Sequence, residues 1–373
     1  MLFAETHSLG YLRMATATYA LFTHTTTLPS STRAPGSAHG TAYEQTLKNY
    51  QECFMIRFLL KRLIGLLFVV VGVTLITFFM GHFAPGDPIR VLLGDHPNAV
   101  LEAQLKHQYG LDLPLYQQYL NYMGHLIRLD FGLSFRSINR PVWDILKDGI
   151  PVSLELGLWG LFLQLLLGIP LGVASALRAN TWVDTFNMGL ALVLYAIPVF
   201  IFGVLFQLLI IWMDKQTGLR WPVTQWGTPW QYTWQDIQYK LAPILVYTAA
   251  GMAYYARLAR TSMLEVLRQD YIRTARAKGL LENAIVYRHA FRNALIPLVT
   301  VIGVSIGFLV TGAFFTEKIF NLPGIANLTL EAIDSLDYPV LQATTVMLAC
   351  SVVLGNLISD ILYTVVDPRI RAE

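Results

Sequence analysis

The chain has 373 residues, 54% of them hydrophobic and only 14% charged, with a net charge of +3. Soluble domains carry about a quarter of their residues charged, so most of this chain is dissolved in lipid. So little charge, without a long basic tract, excludes nucleic acid as a partner.

Residues 1–54 are rich in Thr, Ser, Ala, Gly and His, with one short apolar patch at Met14–Phe22. Reading that patch as a signal peptide would place Arg57, Lys61 and Arg62 outside, against the charge rule. The simpler reading starts the functional chain at Met55 and treats 1–54 as a disordered or mis-assigned extension.

Crossing about 30 Å of hydrocarbon takes roughly 17 to 25 apolar residues. Six runs qualify in chain order: Leu63–Ala84, Leu156–Leu177, Phe186–Met213, Leu241–Ala256, Leu295–Thr316 and Val340–Ser359. The fourth is short, and its flanking Lys240 and Arg257 are expected to snorkel to the interfaces. The segment before the first run, the turn Arg178–Asp184, the loop Arg257–Arg292 and the tail Arg369–Arg371 fall on one side. All but the short turn are basic, which puts both termini in the cytoplasm. The expected fold is an all-α polytopic membrane protein with six transmembrane helices. It divides into a first helix with its cytoplasmic lead (55–84), an external region (85–150), a five-helix core (151–366) holding the cytoplasmic loop 257–292, and a tail (367–373).

Pro85-Gly-Asp-Pro88 reads as a membrane-exit turn, since Pro removes donors and Gly permits positive φ. Glu155 and Asp360 sit near span ends, and the preferred reading of each is a wetted, hydrogen-bonded cap. No acid, Lys or Arg falls at the middle of a run, so a proton relay has nothing to run on. Pro170, Pro198 and Pro243, with Gly168, Gly172 and Gly203 nearby, are candidate kinks beside a cavity or ordinary helix irregularities. His82 and Glu155 are too isolated to form a catalytic pair. Cys53 and Cys350 give neither a disulfide framework nor a metal spacing.

The most informative stretch is Asp270-Tyr-Ile-Arg-Thr-Ala-Arg-Ala-Lys-Gly279, basic and Ala-rich between two apolar runs. It predicts a small helix in the cytoplasmic loop, stopped by Gly279. The order Ser262-Met-Leu-Glu-Val-Leu, Asp270 to Leu280, then His289-Ala-Phe-Arg-Asn-Ala-Leu-Ile-Pro297 resembles the coupling loop of bacterial ABC importer permeases. The resemblance is to the dipeptide, oligopeptide and nickel branch. Arg273-Thr-Ala275 stands where the general motif has Glu-Ala-Ala, and the gap from Gly279 to Pro297 is long, as in that branch. The Pro85 tetrapeptide, Tyr109-Gly-Leu-Asp-Leu-Pro114, Asp130-Phe-Gly-Leu-Ser134, Leu322-Pro-Gly324, Asp337-Tyr-Pro339 and Val366-Asp-Pro-Arg369 match the same branch. Met55-Ile-Arg-Phe-Leu-Leu-Lys-Arg62 looks like a family amino terminus.

This resemblance implies a type I ABC importer permease in the bacterial inner membrane, carrying dipeptides or oligopeptides, with nickel chelates, glutathione-like peptides or opines as the alternative cargoes. It implies four kinds of neighbour: a second related permease, two ATP-binding subunits, an external substrate-binding protein and the lipid bilayer. Asp270, Arg273, Ala275, Arg276, Lys278, Gly279 and Pro297 are the expected ATPase-coupling residues. The sequence has no Gly-Lys pair and hence no P-loop, so ATP is expected on the partners, with no cofactor, metal or catalytic residue in this chain. A self-sufficient carrier or a membrane enzyme would need intramembrane charge, an inverted repeat or paired catalytic groups, and the sequence shows none of these.

Overall fold

The computed structural model describes residues 62, 64–81, 83, 89, 93, 99–137, 140–218, 220–309 and 313–366. The expectations for 1–54, for the turn Pro85–Pro88, for His82 and for the tail 367–373 lie outside the described residues. Among the described residues, twelve helices are traced in order: α1 (Ile64–Gly81), α2 (Ala99–Gln108), α3 (Leu115–Ile127), α4 (Val142–Leu177), α5 (Trp182–Ala196), α6 (Val199–Thr217), α7 (Trp234–Leu267) and α8 (Asp270–Ala277). Then come α9 (Glu282–Gly307), α10 (Phe314–Ile319), α11 (Ile325–Asp334) and α12 (Tyr338–Val366). Among the described residues there is no strand, only an isolated bridge between Leu133 and Pro141.

Five of these helices, α1, α4, α6, α9 and α12, are long and apolar enough to cross a membrane. Only 6% of the apolar window of α6 is buried within the chain. A helix that is apolar all round and uncovered by its own chain needs lipid or another subunit around it. The expected fourth run, Leu241–Ala256, lies inside α7, whose polar ends keep it out of that set of five.

The boundaries differ from those expected for physical reasons. The second run does not begin at Leu156: α4 starts fourteen residues earlier at Val142, because Val142, Ile145 and Leu146 pack into the core while Asp144, Lys147 and Asp148 face outward. The third run is not one helix. Pro198 lacks an N–H and pushes Ile197 into an extended conformation (φ −76, ψ 120), so α5 and α6 are separate. The fifth run does not reach Thr316, since α9 stops at Gly307 and Thr316 belongs to α10. Pro170, Pro243 and Pro297 lie inside continuous helices.

The most extensive contact is between α4 and α7, and glycines make it. A Cβ on Gly160 would stand 2.1 Å from the Tyr247 ring, one on Gly168 2.7 Å from the Met252 carbonyl, and one on Gly172 2.2 Å from the Ala256 carbonyl. Gly168 and Gly172, four residues apart, share one helix face and let the backbones nearly touch. They are contact residues, not companions of a kink. The second main pair, α9 and α12, repeats the device where Gly307 meets Gly355.

Valine at Gly172 must displace backbone, not a flexible side chain, and should cost at least about 3 kcal/mol, the upper range for overpacking. Gly189→Ala, where the added carbon meets nothing within 4 Å, should be neutral or stabilising by up to about 1 kcal/mol. Thermal unfolding of the detergent-solubilised protein checks both, and equal melting of the two variants would refute the seam.

Candidate functional site

The residues between α7 and α9 build a small platform. α7 ends at Leu267, and Gln269 turns extended (φ −69, ψ 149) to start α8. Asp270 complements the positive helix start, and the Thr274 hydroxyl donates to the Asp270 carbonyl at 2.9 Å. Gly279 closes α8 with φ +76. The Gly279 N–H reaches the Arg276 carbonyl at 2.9 Å and the Leu280 N–H the Ala275 carbonyl at 3.3 Å. That pair of bonds is the Schellman cap, which requires the left-handed residue that Gly279 supplies. The helix and its glycine stop are as expected.

α8 has two faces. Ile272 and Ala275 are buried against Val173 and Ala176 of α4, Met263 of α7, and Ile285, Val286, Ala290 and Ala294 of α9. Tyr271 accepts a bond from Asn293 Nδ2 at 2.7 Å, a second tie to α9. On the other face Arg273 and Lys278 are exposed, with Arg273 at 3.4 Å from Asp270. Arg276 forks onto Glu282 at 2.6 and 3.2 Å, a bond that raises the Arg276 pKa further above its ordinary value. Ala275 is therefore a seat within the chain, while the bases form the open surface. Pro297 lies in α9 itself, inside the helix that α8 leans on.

The first turns of α9 are wound as a π-helix over Ile285–Ala290. Such wide turns are rare and are frequently found at functional sites. Here one carries three of the apolar residues that seat α8. Close by, Asp184 of α5 takes a two-pronged bond from Arg260 of α7 at 2.6 and 2.7 Å. Arg62, just before α1, pairs with Asp360 of α12. Asp360 is thus a partly exposed, bonded group near a helix end, as expected.

The opposite end of the molecule holds buried carboxylates that the sequence did not reveal, and three of them, Glu155, Glu317 and Asp337, tie distant parts of the chain together. Glu155 was expected to be wetted, yet it is fully buried. Lys240 Nζ donates to its Oε1 at 2.8 Å, and Trp226 Nε1 and the Trp230 N–H donate to Oε2 at 2.9 Å each. Nor does Lys240 snorkel. It also donates to the carbonyls of Thr228 and Gln231 and lies 4.7 Å from the Tyr232 ring centroid. Every polar atom of the pair is satisfied, the condition under which a buried ion pair is tolerated. The available signal was a lone acid and a lone base at the same ends of neighbouring runs.

Glu317 of α10 accepts from Ser153 Oγ at 2.7 Å, from Ala313 N–H at 3.2 Å and from Asn327 N–H at 3.1 Å. Ser153 accepts in turn from the Ile325 N–H at 2.8 Å. Together α4 and α10 satisfy the unpaired donors at the start of α11. Burial pushes the Glu317 carboxyl up, and these bonds pull it partly back. Asp337 accepts from Ser134 Oγ and from the N–H groups of Phe135 and Arg136, pinning the segment before α4 to the start of α12.

Comparison with known proteins agrees along most of the chain. Residues 168–372 match the model of the binding-protein-dependent transport system inner membrane component, and residues 55–157 match the N-terminal model of such membrane components. The dipeptide transport system permease protein of Escherichia coli strain K12 is 36% identical over 338 residues, covering 85% of this chain and 99% of that protein. The glutathione transport system permease protein of Salmonella typhimurium is 36% identical over 317 residues, with the same coverage. The dipeptide permease protein of Alkalihalophilus pseudofirmus is 35% identical over 333 residues, 85% of this chain and 100% of that one.

Lys240→Met strands a buried carboxylate and should cost about 3–5 kcal/mol. Adding Glu155→Gln removes the stranded charge while keeping an acceptor for Trp226 and Trp230, and should recover most of the loss. Melting temperatures of the three proteins check this. A single variant as stable as the parent would mean that the pair is hydrated in solution.

Proposed function

We propose a transport role from one premise: this chain belongs to the family of binding-protein-dependent transport system inner membrane components. Its role is that of a transmembrane subunit of an ATP-driven importer whose cargo is a dipeptide or oligopeptide, the chemistry that the relatives' names share. A second related permease completes the path, two ATP-binding subunits dock on the cytoplasmic side, and a substrate-binding protein delivers cargo from outside. This chain carries out no covalent step.

The observation that carries the reading is the two-faced α8. Its apolar face is locked onto α4, α7 and α9, while Arg273, Arg276 and Lys278 stand open to a partner. A push on α8 is therefore delivered to three long helices at once. Close-packed helices move as bodies, because packed interfaces have discrete arrangements and do not deform continuously. ATP-driven closure of the docked subunits would rock these helices and open the path to alternate sides.

Six crossings fit the described helices when α5 and α6 count as one crossing interrupted at Pro198. The Arg62–Asp360 pair supports an even number, since it sets the start of α1 level with the end region of α12. The basic platform then lies in the cytoplasm with both termini. Cysteines placed at the exposed positions Leu120 and Ala277 should react oppositely with a membrane-impermeant thiol reagent. Position 120 should label in intact cells and 277 only after permeabilisation. Labelling of both from outside would overturn the orientation.

Gly279→Glu strains the left-handed cap by roughly 1 kcal/mol or more and puts an acid at the contact. Arg276→Glu reverses a charge on the open face. Both proteins should insert normally yet lose co-purification of the ATPase and lower uptake by about tenfold, equivalent to about 1.4 kcal/mol at the contact. Unchanged docking and uptake in both would move the coupling site elsewhere.

A further inference from the structure

We propose that Arg257 is an anion-binding residue in the inner half of the translocation path and that it takes the free carboxylate of the peptide cargo. The inference rests on the peptide-importer reading and names a contact within it. Arg257 lies on α7 one turn before Arg260. The two differ in what they meet. Arg260 is held by Asp184. Arg257 has no carboxylate beside it among the described residues; its guanidinium stacks 3.9 Å above the ring centroid of Tyr195, and its Nε is buried without a hydrogen-bond partner.

Stacking occupies the face of a guanidinium and, with Nε buried, leaves the outer pair of N–H groups to meet a carboxylate. The group is also weakly hydrated and held in place by the ring, so little order is lost when an anion replaces water. Tyr195 is half-exposed and stands in the last turn of α5, about three helical turns along from Asp184. The contact thus draws Arg257 away from the basic loop, against the snorkelling expected of it. A cation within a span is costly unless water or an anion reaches it, and such residues face bundle interiors or aqueous cavities.

The backbone beside it points the same way. Tyr195 immediately precedes the interruption between α5 and α6, where Ile197 is extended and Pro198 has no N–H to give. Interrupted backbone at membrane depth is tolerated where it is buried in protein or lines a water-filled cavity. An unpartnered guanidinium and an interrupted helix therefore lie side by side. A peptide of any sequence ends in a carboxylate, so one fixed arginine suits cargo that varies in every side chain.

The test uses the whole transporter in proteoliposomes: both permeases, the ATPases and the external binding protein. Uptake of a dipeptide and of its C-terminal amide is measured, each at a concentration that saturates the binding protein, so that selection outside drops out. Arg257→Gln should lower uptake of the free acid about tenfold and change uptake of the amide less than about twofold, with ATP hydrolysis still stimulated by loaded binding protein. Arg257→Lys, which keeps the charge but not the fork, should fall between. Equal losses for acid and amide would overturn the inference and assign Arg257 to the fold or to an acid of the second permease. Unchanged uptake of the acid would overturn it as well. A parent transporter that moves neither peptide would remove the peptide reading itself, and the inference with it.

Discussion

The seam between α4 and α7 positions nearly everything else. Side chains on these helices would hold the axes apart, but at Gly160, Gly168 and Gly172 the opposing backbone or ring stands where a Cβ would be. In lipid, helix association lacks the hydrophobic drive that water supplies, and close packing with polar contacts takes its place. Both ends of the seam are then put to use. One end brings Glu155 to Lys240, and the other brings Val173 and Ala176 to Met263, forming the seat for α8.

The buried polar groups act as fasteners more than as sources of net stability. An ion pair buried with all its bonds made is about as stable as a good apolar contact, whereas breaking it is expensive. The Glu155 pair ties α4 to α7 and, through Trp226 and Trp230, to the stretch before α7. Glu317 and Ser153 fasten α10 and α4 to the start of α11, while Asp337 fastens the segment around Ser134 to α12. Each links parts of the chain far apart in sequence, so this end of the bundle is tied together across several elements.

The end that carries α8 sorts its bases by task. Arg260 is bound to Asp184 and braces α5 on α7. Arg276 is half-committed to Glu282 and half-exposed, a surface pair worth little by itself and easily traded for a partner's acid. Arg273 and Lys278 remain open. Charge composition had grouped these residues together as markers of orientation, and their surroundings separate them.

What the sequence by itself determined was local. Apolar runs marked the long helices, and Gly279 after an Ala-rich stretch marked a capped helix whose φ of +76 the fold displays. These depend on a residue and its near neighbours, so a linear reading reaches them. Pro198 was also legible as an irregularity, but whether it would kink a helix or end one depended on what replaced the lost bond. The partners of Glu155, Glu317 and Asp337 were decided only by tertiary structure. The same carboxylate is a wetted cap or a buried anchor according to which helix arrives beside it, and Lys240 is 85 residues from Glu155. The same holds for Ala275, which reads as part of an open motif until Ile285 and Ala290 are placed against its helix. Burial and pairing are properties of the packed set of helices, and no window of sequence contains them.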